Sequence, residues 1–171
     1  MLSKGGGYNK VYVFKDEKKT LNNQLAVIIN ISKIGSKFYS LLKYANGSLN
    51  YTRLTHGSLL GDVVYTTNLP PYLWYFYKPG MTVMLRFLKK FTIFHSLCTL
   101  NKAKYGTANG VFCQLLENTL TGGIVKIKLP SGQVKEVSGN LFATVGRVSN
   151  INSRYENLGK AGSLKQRLKK T

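Results

Sequence analysis

Lys126 and Lys128 stand two residues apart in IVKIKL, with Ile127 between them and Ile124 and Val125 before them. In a strand, alternation sets the two ammonium groups on one face, while Ile124, Val125, Ile127 and Leu129 supply mainly apolar contacts to a core. A merely solvated strand face would carry the same alternation. Lys135, Arg147 and Arg154 add cations downstream, and the expectation is one continuous basic surface suited to phosphate. Lys10, Lys15, Lys102 and Lys104 join the candidates. So does the terminal run NLGKAGSLKQRLKKT, in which Lys160, Lys165, Arg167, Lys169 and Lys170 meet no carboxylate. That run has too few apolar residues to offset the entropy of ordering it, so a polyanionic partner is expected to order it.

Glycines accompany these cations. Gly5-Gly6-Gly7 precedes an expected strand rather than opening a helix, and its bare backbone amides suit close approach to an RNA phosphate. A flexible terminus accounts for the same three residues equally well. In TVGRVSN and NLGKAG, small residues interleave with Arg147, Asn150, Arg154 and Lys160. Small residues let backbone enter narrow spaces between RNA helices while cations reach phosphates.

Catalytic chemistry is poorly provided for. Acid–base work needs closely set titratable groups, and six Asp and Glu lie scattered with two isolated histidines, His56 and His95. No phosphate-binding P-loop pattern occurs, and no local Ser, His and Asp set, so the chain reads as a non-enzyme. Cys98 in SLCTL and Cys113 in VFCQL read as small buried hydrophobes, since neither histidine stands at metal-binding spacing from them. No cofactor is expected, apart from structural magnesium ions belonging to an RNA partner.

The composition agrees. The 171 residues are 43% hydrophobic and 18% charged, a globular balance, yet 25 Lys and Arg face 6 Asp and Glu, for a net charge of +19. Such a chain repels itself unless a polyanion neutralises it. Nucleic acid is the first candidate, and anionic lipid competes with it. No apolar stretch is long enough for a membrane span, and MLSKGGGYNK has the features of neither a secretory signal nor a transit peptide. Lys outnumbers Arg by 20 to 5, and Asn, Tyr, Ile and Phe are plentiful, as AT-rich codons would produce. An organellar gene and ordinary lineage bias both explain that.

The elements that must carry these residues are strands. KVYVF (10–14), QLAVIINI (24–31), KFYSLLKY (37–44) and SLNYTRL (48–54) are β-branched or alternating runs, and Asn46-Gly47 predicts a two-residue hairpin turn with positive φ angles. NLPPYLWYFYKPG marks a module boundary, with a Pro79-Gly80 turn and an aromatic run, Tyr72, Trp74, Tyr75, Phe76 and Tyr77. Those rings read as an inter-module contact, a base-stacking platform or a membrane anchor. MTVMLRFL, FTIFHSLCTL, GGIVKIKL and QVKEVS alternate again, with a tight turn at Pro130-Ser131-Gly132, and GVFCQLLENTL fits strand or helix. Short strands with regular turns indicate small barrels.

GGGYNK, LLKYANG with GDVV after it, KPG, LPSGQVKEV, ATVGRVSN and NLGKAG, in that order, resemble the ribosomal protein L-two family of the large ribosomal subunit. The resemblance spans nearly the whole chain. It implies an OB-fold barrel over 1–77, an SH3-like barrel over 78–153 and a basic C-terminal extension over 154–171. It further implies a structural role in translation: binding of large-subunit rRNA, contact with neighbouring ribosomal proteins, and support of subunit association and the peptidyl-transferase region. Two departures stand out: Thr107 and Phe142 occupy positions where the family commonly carries arginine, so those two contacts are not carried over. The family's segment after NLGKAG leads into a His-Gly-Gly-Gly loop absent before Thr171, and the usual N-terminal extension is missing, so a split or reduced gene with a second polypeptide is expected. These features favour a mitochondrial ribosome, with a bacterial cytoplasm or plastid as alternatives. A free single-strand-binding OB protein and a basic membrane-surface protein remain the competing readings.

Overall fold

The computed structural model describes residues 23–35, 37–67, 77–99, 103–118 and 123–155. KVYVF, Tyr72 to Phe76 of the aromatic run and the basic terminal run lie outside the described residues.

The described chain is built from strands and two short 3-10 turns. The first half holds β1 (Gln24–Ile34), β2 (Lys37–Tyr44), β3 (Leu49–Arg53) and β4 (Val63–Thr67). The second holds β5 (Thr82–Met84), β6 (Ile93–His95), β7 (Leu97–Cys98), β8 (Ala103–Tyr105), β9 (Cys113–Asn118), β10 (Ile124–Lys128), β11 (Val134–Ser138) and β12 (Phe142–Val145). The 3-10 turns are Leu85–Phe87 and Ile151–Tyr155. Ten strands form one sheet in the order β11-β10-β9-β6-β12-β5-β4-β1-β2-β3, and β7 pairs with β8 separately. Every pairing is antiparallel except β4 with β5, where Thr66 faces Thr82 and Thr67 faces Val83.

Alternation gives β1 its inner face: Ala26 and Ile28 are buried while Leu25, Val27 and Ile29 are exposed. With Leu42, Tyr44 and Val64 they form one apolar cluster. A larger one gathers Val83, Leu85, Phe94, Leu97, Cys113, Leu115, Val125, Ile127 and Ala143. Each fully buried Leu, Ile or Phe contributes about 1.5–3 kcal/mol of transfer free energy. The ambiguous GVFCQLLENTL resolves as strand β9, because Cys113 and Leu115 point into this cluster at period two.

Three expectations need correction. MTVMLRFL is a strand only over Thr82–Met84 and then tightens into a 3-10 turn, clamped by Asn118, whose Nδ2 donates to Arg86 O at 2.6 Å and Leu88 O at 3.1 Å. FTIFHSLCTL breaks at Ser96, which has φ +49°. The Asn46-Gly47 loop has three residues rather than two: Gly47 N donates to Tyr44 O and Tyr44 N to Ser48 O, with only Gly47 at positive φ. That is a type I turn closed by a left-handed glycine. Asn46 Oδ1 instead accepts from Ser48 N and Oγ at 3.0 and 2.7 Å. The Pro130-Ser131-Gly132 turn has the same hydrogen bonds between Leu129 and Gln133, with Gly132 at φ +88°.

The halves meet where Pro79-Gly80 turns. Met81 N donates to Lys78 O, with proline second and a glycine of φ +95° third, the pattern of a type II turn. Around it, Thr55 pairs with Val148, His56 N donates to Arg147 O, and Ser149 N donates to Leu54 O. Fully buried His95 bonds through Nε2 to Thr55 Oγ1 and through Nδ1 to Ser96 Oγ, each at 2.9 Å.

Candidate nucleic-acid interface

The expected continuous basic surface is divided by strand register. In β10, Lys126 and Lys128 do share the outer face, and Ile124 joins them there rather than entering the core. Lys135 of β11 stands opposite Ile127, not opposite a lysine. Directly paired residues share a face, so Lys135 lies on the side of Val125 and Ile127, away from Lys126 and Lys128. Local alternation could not reveal this, because register between strands is a non-local property.

Three groups replace one surface. Lys126 is engaged: its Nζ lies 2.9 Å from Glu117 Oε2, and Glu136 faces it across the β10–β11 pair. The hydrogen bond and charge of Lys126 hold the Glu117 carboxyl below its usual range, and Glu117 raises Lys126 in turn. Both groups are exposed, so the pair adds little stability. The second group gathers Lys104 and Lys135, whose Nζ atoms lie 5.5 and 5.6 Å from the centroid of the Tyr105 ring. Two ammonium groups on one ring form a local cationic site.

The third group joins Lys128 to Arg147. Both line a groove of about 300 Å³ together with Gly110, Phe112, Gln114 and Gly132. Arg147 is fixed from two sides: Nε donates to Gly110 O at 2.6 Å, and the guanidinium carbon lies 5.3 Å from the Phe112 centroid. Among the described residues no acidic one lines the groove. The sequence offered little signal for Phe112, since nothing local distinguishes it from the core residues that follow.

TVGRVSN has a different basis from the one expected. Thr144, Val145, Val148 and Ser149 are buried within the protein, and a Cβ on Gly146 would come within 2.8 Å of Thr55 Cγ2. Its small residues therefore fit the protein's own packing against Thr55 and Pro79, while Arg147 alone of this segment reaches the groove. Asn150 holds φ +62° where Ser153 N returns to its carbonyl. Gly110 packs so closely that a Cβ would meet Ile151 Cα at 2.9 Å. Gly5, Gly6, Gly7, Lys10, Lys15, Lys102, Lys160, Lys165, Arg167, Lys169, Lys170 and the Arg154 side chain lie outside the described residues.

Among the described residues no cluster of His, Cys, Asp and Glu could hold a metal ion, and no helix is long and apolar enough to cross a membrane. Cys98 and Cys113 are buried, and burial raises the Cys113 thiol from 9.0 to about 11. Tyr77 packs on the larger cluster and donates its hydroxyl to Phe87 O at 3.2 Å, with burial raising it to about 12.

Residues 78–171, which include both cationic groups, match the family described as Ribosomal Proteins L2, C-terminal domain. The chain belongs to the ribosomal protein L2 family. Among curated L2 relatives, the large ribosomal subunit protein uL2cz of Glycine max is 29% identical over 164 residues, and uL2cz/uL2cy of Phaseolus vulgaris is 30% identical over 164. Over 165 residues, uL2cz/uL2cy of Helianthus annuus is 29% identical. These alignments cover 94% of this chain and 57% of each relative, so the chain spans a little over half the length of the L2 proteins it matches. The L2 family is one of ribosomal proteins rather than enzymes. Within the L2 match, half-buried Phe142 begins β12 opposite Met84.

Proposed function

We propose that this chain is a structural constituent of the large subunit of an organellar ribosome, where it binds large-subunit rRNA and packs against neighbouring ribosomal proteins. The observation that carries the reading is the L2 family match over 78–171. Two cationic groups within that segment, Lys104 with Lys135 and Lys128 with Arg147, supply the charge that phosphate recognition requires. The reading includes the family's support of subunit association and of the peptidyl-transferase region. It also includes an OB-fold barrel over 1–77, an SH3-like barrel over 78–153 and a basic extension over 154–171. Separate apolar clusters, one drawn from residues 26–64 and one from 83–145, support that division. For the organelle, the reading is a mitochondrion, supported by the excess of Lys over Arg that AT-rich codons produce.

Sedimentation of native mitochondrial and plastid lysates through magnesium-containing gradients, with and without RNase, tests the ribosomal and organellar parts of the reading together. The expected result is co-migration with the mitochondrial large subunit that collapses on RNase treatment. Co-migration with the plastid subunit would overturn only the choice of organelle. Recovery at the top of the gradient, or with membranes and insensitive to RNase, would overturn the ribosomal reading.

A further inference from the structure

The groove beside Arg147 offers more than charge. Phe112 keeps 37% of its surface exposed, although Cys113 and Leu115 just after it are fully buried. A guanidinium already anchored by Gly110 O lies over its ring, so the ring and the guanidinium hold each other in place as two stacked planes. Unstacked bases stack on aromatic and guanidinium planes of this kind. Lys128 faces Gln114 across the β9–β10 pair and, unlike Lys126, has no carboxylate partner among the described residues. Gly132 at the rim has open space where a Cβ would stand, so backbone of a partner can approach. Recognition of a regular duplex by its phosphates requires cations alone, whereas a recessed groove of about 300 Å³ is at the lower end of ligand-sized sites.

From this geometry we infer that the groove takes a single unstacked RNA nucleotide, its base against Phe112 and Arg147 and its phosphate beside Lys128. The inference rests on the RNA-binding reading above and adds a preference within it: RNA with a nucleotide free to leave the stack. Gly110 is part of the device, because its carbonyl fixes the arginine and its missing Cβ lets residues 149–151 close behind it.

The test uses the full chain and two fluorescein-labelled RNA hairpins that differ only by one bulged nucleotide, with binding read by anisotropy at one moderate salt concentration. The wild-type chain is expected to prefer the bulged hairpin about tenfold, the scale of one base stack. Phe112→Leu, which keeps an apolar contact without the aromatic face, should bring the two hairpins to near parity by costing the bulged hairpin more affinity than the unbulged one. Phe112→Trp should retain the preference, and thermal unfolding of both variants verifies that they fold. Equal wild-type affinity for the two hairpins, or an equal loss on both in Phe112→Leu, would overturn the nucleotide site and leave RNA binding standing. Absence of wild-type binding to either hairpin would overturn the RNA-binding reading itself.

Discussion

Gly146 carries two separate demands, a φ of +107° and a contact too tight for any side chain. Gly146→Ala should therefore destabilise by about 3 kcal/mol, combining left-handed strain with the clash on Thr55 Cγ2. Gly132→Ala, strained but facing open space, should cost only about 1 kcal/mol. Thr55→Ser removes the clashing methyl and keeps the hydroxyl that meets His95, so Thr55→Ser in the Gly146→Ala background should recover part of the loss. Denaturant unfolding of the wild type, Gly146→Ala, Thr55→Ser and the double variant checks this as a double-mutant cycle. Cys113 and Tyr77 make an alkaline prediction. Burial raises the folded thiol from 9.0 to about 11 and the phenol from 10.0 to about 12, so on raising the pH the unfolded chain loses these protons first. The unfolded state then holds fewer protons than the folded state, and stability falls. The decline should begin near pH 9 and end above about 12, measured as a denaturant midpoint falling with pH. At neutral pH both buried thiols should resist alkylation until the protein unfolds.

Strands β1 to β3 were the most legible elements, because each alternates or is β-branched and each is followed by residues that must turn. KFYSLLKY is a strand over its whole length, Lys37–Tyr44. The 3-10 turn at Leu85–Phe87 was not legible, since LRF continues the apolar alternation of TVM and the cause of the turn lies thirty residues away. Asn118 supplies that cause by donating to two carbonyls of the turn, one at Arg86 and one at Leu88. Asn118→Ala should cost about 1–3 kcal/mol, as two part-buried acceptors lose their donor, with the loss read by denaturant unfolding. Faster amide exchange localised to residues 85–88 would accompany it. The candidate site divides in the same way. Lys128 and Arg147 were legible as cations and do come together, whereas Lys135 changes face through its pairing with Ile127, and Phe112 has meaning only beside Arg147.

At the scale of the molecule, 25 basic residues against 6 acidic ones dominate any encounter with nucleic acid. With roughly eight phosphates neutralised, affinity for rRNA should fall on the order of 10³ to 10⁵ between about 50 and 200 mM salt. A nearly flat response in filter-binding or anisotropy titrations would contradict electrostatic binding. Arg147→Gln should weaken binding and flatten the salt slope by about one ion. The sheet order carries a last consequence, for synthesis. Strand β12 pairs with β6 on one side and β5 on the other, yet it comes last in sequence among the described strands. A nascent chain emerging from its amino end can pair β1 with β2, β3 and β4 early, because those partners follow one another closely. Strand β5 can already pair with β4, and β6 with β9, but the edges that β5 and β6 turn towards β12 must wait until residues 142–145 arrive between them. During translation the second half therefore presents unpaired backbone edges for most of its own length, and the last strand acts as a keystone whose arrival closes the sheet.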